Sequence, residues 1–432
     1  MTMMKSTLLA GSLAVAAMAC TPAVAADAPR DAKIFAAATA IQPKVVSWRR
    51  DIHQHPELSN QEVRTAALVA AHLKKLGFEV RTGVAKTGVI GILRGGKPGG
   101  VVALRADMDA LPVAEAPGLP FASTATASWR GQTVPVMHAC GHDAHVAMLL
   151  GAAEILASMR ADIKGTVVVL FQPAEEGPPT GEVGGAPEIV RLKALDDPRP
   201  DAIFGLHVMP GQVGKLMWRS GGFMAGSDTW ELDVEGKQTH GSSPWTGIDA
   251  ASVAADIVTS FNQIGARQVN VAHAPTVLTV GQIQLGTRHN IIAGKFTMTG
   301  TLRTFDPAMR TDVMDRMRNS MTSVEQRFGV KTDMRFVSSN PVTANSPDLV
   351  ARMTPTLERA AKGAVDGGVD YVMGSEDFSA YQAVAPTFFF HLGIGDSASN
   401  HSPLFKIDEA ALETGVRAYA LVALDFLDEA GR

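Results

Sequence analysis

The stretch MHACGHDAH, Met137 to His145, sets one cysteine among three histidines and an aspartate. Other places in the chain hold residues that could work with it. VVALRADMD ends in Asp107 and Asp109, VVVLFQPAEEG ends in Glu175 and Glu176, and AIFGLHV ends in His207. A lone cysteine is most often a small buried hydrophobe, or it can be a nucleophile with a neighbouring histidine as its base. Acids, histidines and a cysteine together fit a third chemistry, metal-assisted hydrolysis. Cys140 and His142 stand one residue apart at a helix entrance, where the helix N-terminus favours the thiolate that a metal needs. Thiolate, imidazole and carboxylate together suit zinc, and cobalt, nickel or manganese are compatible. Of the adjacent Glu175 and Glu176, one can bind metal while the other, differently directed, deprotonates water. Plainer roles are expected nearby. Asp143 reads as a helix cap, His145 as part of a packed helix face, and His53 and His55 of DIHQHPELS as turn and helix-entry residues.

The elements that must position these groups are legible as patterns. GVIGIL, VVALRAD, TVVVLFQP, AIFGLHV and TFFFHLG are nearly continuous apolar runs, and helical patterns such as DAHVAMLLGAAEILASM separate some of them. This predicts an α/β fold, a mostly parallel sheet flanked by helices and buried on both faces. Open α/β sheets place their sites at the carboxyl ends of strands, where the acids and histidines fall. SNQEVRTAALVAAHLKKLGFEV reads as a helix with Ser59 and Glu62 at capping-box spacing and Gly77 as its stop. Residues 220–338 read differently: TWELDVEG alternates like a half-exposed strand, and the elements follow in the order β-α-β-β-α-β of a ferredoxin-like sandwich. That segment is expected as an inserted domain between catalytic parts at 30–219 and 339–432.

The first 25 residues read as a secretory signal peptide: Lys5, an apolar run, then Ala23 and Ala25 at an A-x-A-like cleavage site. Acylation of Cys20 is an alternative, although Ala17-Met18-Ala19 lacks the usual leucine. No other apolar run approaches the roughly 18 residues of a spanning helix. The expected product is secreted, periplasmic and without a membrane anchor. Of the two cysteines it keeps Cys140 alone, so no internal disulfide can form. Loss of Lys5 takes the formal charge from −4 to −5, spread without long runs, which argues against nucleic acid as a partner.

RADMDALP, MHACGHDAH, FQPAEEG, GLHVMPG, MGSEDFS and NHSPLF follow one another from Arg105 to Phe405. In that order the chain resembles the N-acyl-amino-acid amidohydrolases, which include hippurate hydrolases and auxin-conjugate hydrolases. They lie within the aminoacylase/carboxypeptidase group of dinuclear metallopeptidases, and the resemblance runs from about residue 40 to the C-terminus. It implies a catalytic domain of zinc-peptidase type holding two divalent metal ions per subunit. Cys140 would bridge the ions, where most of the wider group uses an aspartate, and His142, Glu176, His207 and His401 would complete the ligand set. Glu175 would be the general base, and Asp107 would orient a ligand. In the inserted domain His240 would polarise the scissile carbonyl, reaching a partner subunit's site in a homodimer formed through that domain. Asn290 and Arg303 would grip the substrate carboxylate.

The chain departs from the pattern around His240, where Gln238 and Thr239 replace two glycines and Trp245 replaces a histidine. Gln238 and Thr239 would restrict that loop, and Trp245 would favour flat aromatic substrates. The function implied is cleavage of N-acyl-amino acids to a carboxylic acid and a free amino acid. The alternatives are a dipeptidase or carboxypeptidase with the same site, a cysteine enzyme, or a non-catalytic solute- or metal-binding protein.

Overall fold

The computed structural model describes residues 28–430 apart from Pro117; the expected signal peptide lies outside the described residues. The chain begins with α1 (Ala28–Gln54) and α2 (Val63–Lys75), then runs through strands β1 (Glu79–Val84), β2 (Gly88–Arg94) and β3 (Lys97–Asp107). Helix α3 (His142–Ser158), β4 (Lys164–Gln172), β5 (Ala202–Met209) and β6 (Leu216–Met217) follow. Next come β7 (Gly226–Glu235), α4 (Ala250–Gln263), β8 (Thr276–Leu285), β9 (Lys295–Thr304), α5 (Pro307–Phe328) and β10 (Lys331–Asn340). The chain closes with α6 (Pro347–Ala360), β11 (Val365–Asp366), β12 (Thr387–Gly393) and α7 (Leu412–Ala430).

The large sheet has eight strands in the order β1-β2-β4-β3-β5-β12-β6-β11. Its middle, β4-β3-β5-β12, is wholly parallel, with Asp107 level with Gln172 and His207 level with His391. This is the mostly parallel α/β sheet expected, with antiparallel strands at its margins. Helix α3 is apolar around nearly its whole circumference because α1, α7 and the sheet enclose it. The length of α1 was hidden by Pro43, which ordinarily breaks a helix interior. Its buried stripe, Ile34, Ala38, Val45 and Ile52, holds it against α3 and α7 regardless. His53 therefore sits in the last turn of a helix and is fully buried, not on a turn.

Strands β7 to β10 form a separate four-stranded antiparallel sheet in the order β8-β9-β7-β10, the ferredoxin-like arrangement. Asp249 caps α4 by accepting from the Ala251 N–H, and Asp306 caps α5 with Pro307 in its first turn. Both helices close over an apolar core of their own that includes Trp230, Phe261, Met298 and Met317. The edge strand β8 leaves Val277, Ile283 and Leu285 exposed.

The expected capping box on α2 does not form. The Glu57 carboxylate accepts from the N–H groups of Arg64 and Thr65 at 2.8 and 2.9 Å and so caps the helix. Ser59 and Glu62 are buried and turned toward the sheet's carboxyl end. Gly77, at φ +83°, does terminate α2 as its position predicts.

Candidate metal centre

The loop entering α3 reverses at Gly141, whose φ is +90° and whose absent Cβ would lie 2.3 Å from Val208 Cγ2. Only glycine fits there, and the turn carries Cys140 and His142 on either side of it. The Cys140 Sγ lies 3.3 Å from His207 Nε2 and 3.3 Å from His401 Nε2. His401 Nε2 is also 3.1 Å from Glu176 Oε1, and His142 Nε2 is 4.0 Å from Glu175 Oε2. Cys140, His142 and His207 have ligand atoms within 4.8 Å of one another, and so do Cys140, Glu176 and His401. Cys140 is common to both triads. The five residues whose motifs suggested ligands thus converge, from α3, β5, the turn after β4 and the loop after β12. Glu175 joins them through a third group with His142 and Glu176.

The imidazoles are already oriented. His207 Nδ1 is 2.8 Å from the Val208 carbonyl, which turns Nε2 toward the thiol. His142 Nδ1 lies 3.2 Å from Asp109 Oδ1, while its Nε2 is buried with no hydrogen-bond partner. A histidine held by a carboxylate on one nitrogen and presenting the other to a cluster of acids and sulfur is the arrangement metal ligands adopt. His401 adopts φ +69°, uncommon for a residue with a side chain, and its N–H bonds the Ala139 carbonyl. That backbone is held in place at the site it serves.

The carboxylate contacting His142 is Asp109 rather than Asp107, which was expected to orient a ligand. Asp107 Oδ1 lies 3.8 Å from His142 Nδ1 and instead bonds His145 Nδ1 at 2.5 Å. His145 is spent on both sides, since its Nε2 accepts from the Val208 N–H at 2.9 Å. It is therefore more than a packed face: it ties Asp107 to the strand that carries His207. Asp109 also accepts from Ser59 Oγ at 2.8 Å and from the N–H groups of Glu175 and Glu176 at 3.1 and 3.0 Å. One carboxylate thus places a ligand imidazole and both glutamates.

Beneath lies Arg105, fully buried, donating to Asp107, Gln172, Glu376 and Asp377 at 2.5–3.1 Å. The Asp377 N–H in turn points at Glu175 Oε1, 3.5 Å away. An arginine inside the apolar run VVALRAD was the available signal, because a buried guanidinium requires carboxylates around it. Asp143, expected as a helix cap, caps nothing. It is buried against Arg49 Nε at 2.8 Å and His53 Nδ1 at 2.9 Å, and His53 Nε2 reaches Glu115 at 3.0 Å.

Burial pushes the Cys140 thiol well above its usual pKa, and Glu176, Glu175 and Asp107 push it further. These effects outweigh the expected help from the helix N-terminus. Burial likewise raises Glu175 well above the carboxylate range, with Glu376 and Glu176 adding to it. Burial opposes protonation of His142, yet Asp107 and Asp109 lift it to about 10. The cluster is over-supplied with negative charge, and divalent cations would relieve it and release thiolate and imidazole lone pairs. The donor set fits a metal pair.

Among the described residues, none of those expected from the inserted unit has a hydrogen bond or ion pair to this cluster. His240 is exposed, with Nδ1 bonded to Ser242 Oγ at 2.7 Å. Arg303 is half-buried on β9, and burial lowers its pKa. Asn290 Oδ1 is buried without a hydrogen-bond partner. Trp245 is 80% exposed, a few residues beyond His240.

The sequence model of peptidase family M20/M25/M40 matches residues 103–425. A thermostable carboxypeptidase of Saccharolobus solfataricus is 38% identical over 394 residues, covering 89% of this chain and 96% of its own. An N-acyl-L-amino acid amidohydrolase of Geobacillus stearothermophilus is 40% identical over 297 residues, 68% of this chain and 76% of its own. Among solved structures, a dinuclear metal-binding peptidase of Bacillus subtilis superposes with a TM-score of 0.76 at 32% identity, covering 90% of this chain and 99% of that one.

Proposed function

The chain belongs to peptidase family M20/M25/M40 and is a metal-dependent amidohydrolase or peptidase; from that premise we propose that it hydrolyses N-acyl-amino acids, releasing a carboxylic acid and a free amino acid. The observation that carries this reading is the division of labour between Glu175 and Glu176. They are adjacent on one turn, yet Glu176 faces His401 and Cys140 while Glu175 faces His142 and the buried acids. A pure binding site has no use for a second carboxylate so placed.

Cys140, His142, Glu176, His207 and His401 hold two divalent ions in this reading, zinc by the mixture of sulfur, nitrogen and oxygen donors. When bound, the ions supply Lewis acidity toward the amide carbonyl and the attacking water. Glu175 takes the proton from that water and returns it to the departing nitrogen. Its carboxylate, 4.0 Å from His142 and largely shielded from bulk water, is placed to hold the proton between the two steps. His240 donates to the developing oxyanion, and Asn290 and Arg303 receive the free carboxylate. In this reading His240 acts in a partner's site; in its own chain the described hydrogen bonds of its side chain go to Ser242 alone. A homodimer is the corresponding assembly, and the exposed apolar residues of edge strand β8 are a surface for it.

Export to the periplasm rests on the leader sequence. Among the described residues no helix is long and apolar enough to cross a membrane. A second reading, a carboxypeptidase or dipeptidase, is favoured by the 38% identity to the S. solfataricus protein named as a carboxypeptidase. Hydrolysis of N-benzoyl-glycine, N-acetyl-methionine and a dipeptide set decides between them. Activity on the acyl conjugates that vanishes with chelator, returns with zinc or manganese and is lost in Glu175→Ala supports the proposal. Turnover confined to peptides moves the assignment to the second reading, and turnover indifferent to chelator refutes both.

A further inference from the structure

We propose that Glu62 is a positioning residue for the Glu175–Glu176 turn, acting through a hydrogen bond to the Ala174 N–H; the inference rests on the role proposed for Glu175.

Ala174 adopts φ +53°, a left-handed conformation that is unfavourable for a residue with a Cβ. It is buried, so its amide cannot be satisfied by bulk water. The Glu62 Oε1 accepts that amide at 2.9 Å, and its Oε2 accepts from Thr87 Oγ1 at 2.5 Å. The next two amides, of Glu175 and Glu176, go to Asp109. Three successive N–H groups therefore point at two carboxylates that arrive from remote parts of the chain, forming a cradle of the kind that backbone nests make for anions. Without Glu62 the buried Ala174 N–H has no acceptor, and the left-handed turn that aims both glutamates keeps only the Gly177 N–H on the Ala174 carbonyl and the two amides on Asp109.

Glu62 is free for this work because Glu57, not Glu62, caps α2. Its carboxyl is fully buried and is pushed up to about 8 by that burial and by the charge on Asp109. A neutral acid still offers one oxygen as acceptor, and the Thr87 hydroxyl can turn to accept from the other. The function required of the side chain is therefore reach and acceptance, not charge.

Three variants separate these properties. Glu62→Gln keeps reach and acceptor and loses the ability to ionise, Glu62→Asp keeps that ability and loses reach, and Glu62→Ala loses both. In metal-loaded protein, Glu62→Gln should stay within about threefold of wild type in kcat. The aspartate and alanine variants should lose about ten- to hundredfold in kcat with KM nearly unchanged, the cost of a displacement of roughly 1 Å at the reacting groups. Amide exchange read by mass spectrometry without added metal should accelerate in the peptide spanning 171–177 for both, and stay unchanged in α3.

Glu62→Gln as damaging as alanine would overturn the inference in favour of a charge role. Exchange accelerated throughout the protein would reduce Glu62 to a fold-stabilising residue, and unchanged exchange with unchanged kcat would remove it from the site. Should the alanine variant not fold, the aspartate and glutamine pair decides alone. Glu175→Gln runs alongside: retained activity there defeats the proposed base while the exchange experiment still judges Glu62.

Discussion

Asp109 is where the geometry makes its most exposed demand. Four donors converge on its two oxygens: Oδ1 receives the His142 imidazole and the Glu175 N–H, and Oδ2 receives the Ser59 hydroxyl and the Glu176 N–H, all at 2.8–3.2 Å. Asp109→Asn preserves shape and can keep Oδ1 as an acceptor. Its new NH2 then faces the Ser59 hydroxyl, which can rotate to accept, and the Glu176 N–H, which cannot. One buried amide left facing a donor costs about 1–3 kcal/mol, and at 1.4 kcal/mol per decade this is about 5- to 150-fold if expressed in the transition state. Asp109→Ala strips all four donors, frees the imidazole to turn and releases both glutamates. An orienting partner of a metal ligand is worth roughly 10- to 100-fold, and a misplaced base about 100-fold, so kcat/KM should fall about a thousandfold or more. The assay is kcat/KM on N-benzoyl-glycine at saturating metal, beside metal affinity from competition with a chromogenic chelator. Asp109→Ala within threefold of wild type, or Asp109→Asn worse than Asp109→Ala, would refute the reasoning.

Asp143 is held well below the carboxylate range by Arg49 and His53 despite its burial. A depressed pKa contributes stability that is present above the unfolded value near 4 and is lost as pH falls below it. Asp143→Asn should therefore cost about 3–5 kcal/mol at pH 7 in urea titrations, with the gap to wild type narrowing below pH 4. A gap that does not narrow on acidification would contradict this. Gly141→Ala should lower the melting temperature and weaken metal binding at least tenfold, because φ +90° and the 2.3 Å approach to Val208 both exclude a Cβ; a variant with normal metal affinity would show that the turn can move. Trp245→His should lower the ratio of benzoyl to acetyl conjugate hydrolysis, and an unchanged ratio would detach Trp245 from substrate choice.

The chemistry was legible in the sequence because metal ligation and proton transfer demand particular atoms. Cysteine, histidine and paired glutamates at the ends of apolar runs announce themselves, and a parallel sheet brings strand ends together whatever the intervening chain. Continuous apolar runs for β3, β4, β5 and β12, and the alternating one for β7, declared their burial directly, since one face or two must be covered, whereas β8 keeps apolar residues exposed. What the sequence left open was which polar group answers which. Ser59 and Glu62 have the spacing of a local cap, and only the fold shows Glu57 performing it while they serve residues about fifty and more than a hundred positions away. Asp107 and Asp109 are two positions apart in one motif. β3 ends at Asp107, which meets Arg105 and His145, and the chain leaves the strand before Asp109, which meets His142 and the glutamate turn. Local propensity sees only neighbours along the chain, whereas a buried donor must be satisfied by whatever acceptor the packed structure delivers. Pairings of that kind come into being only when distant segments are pressed together and water is excluded.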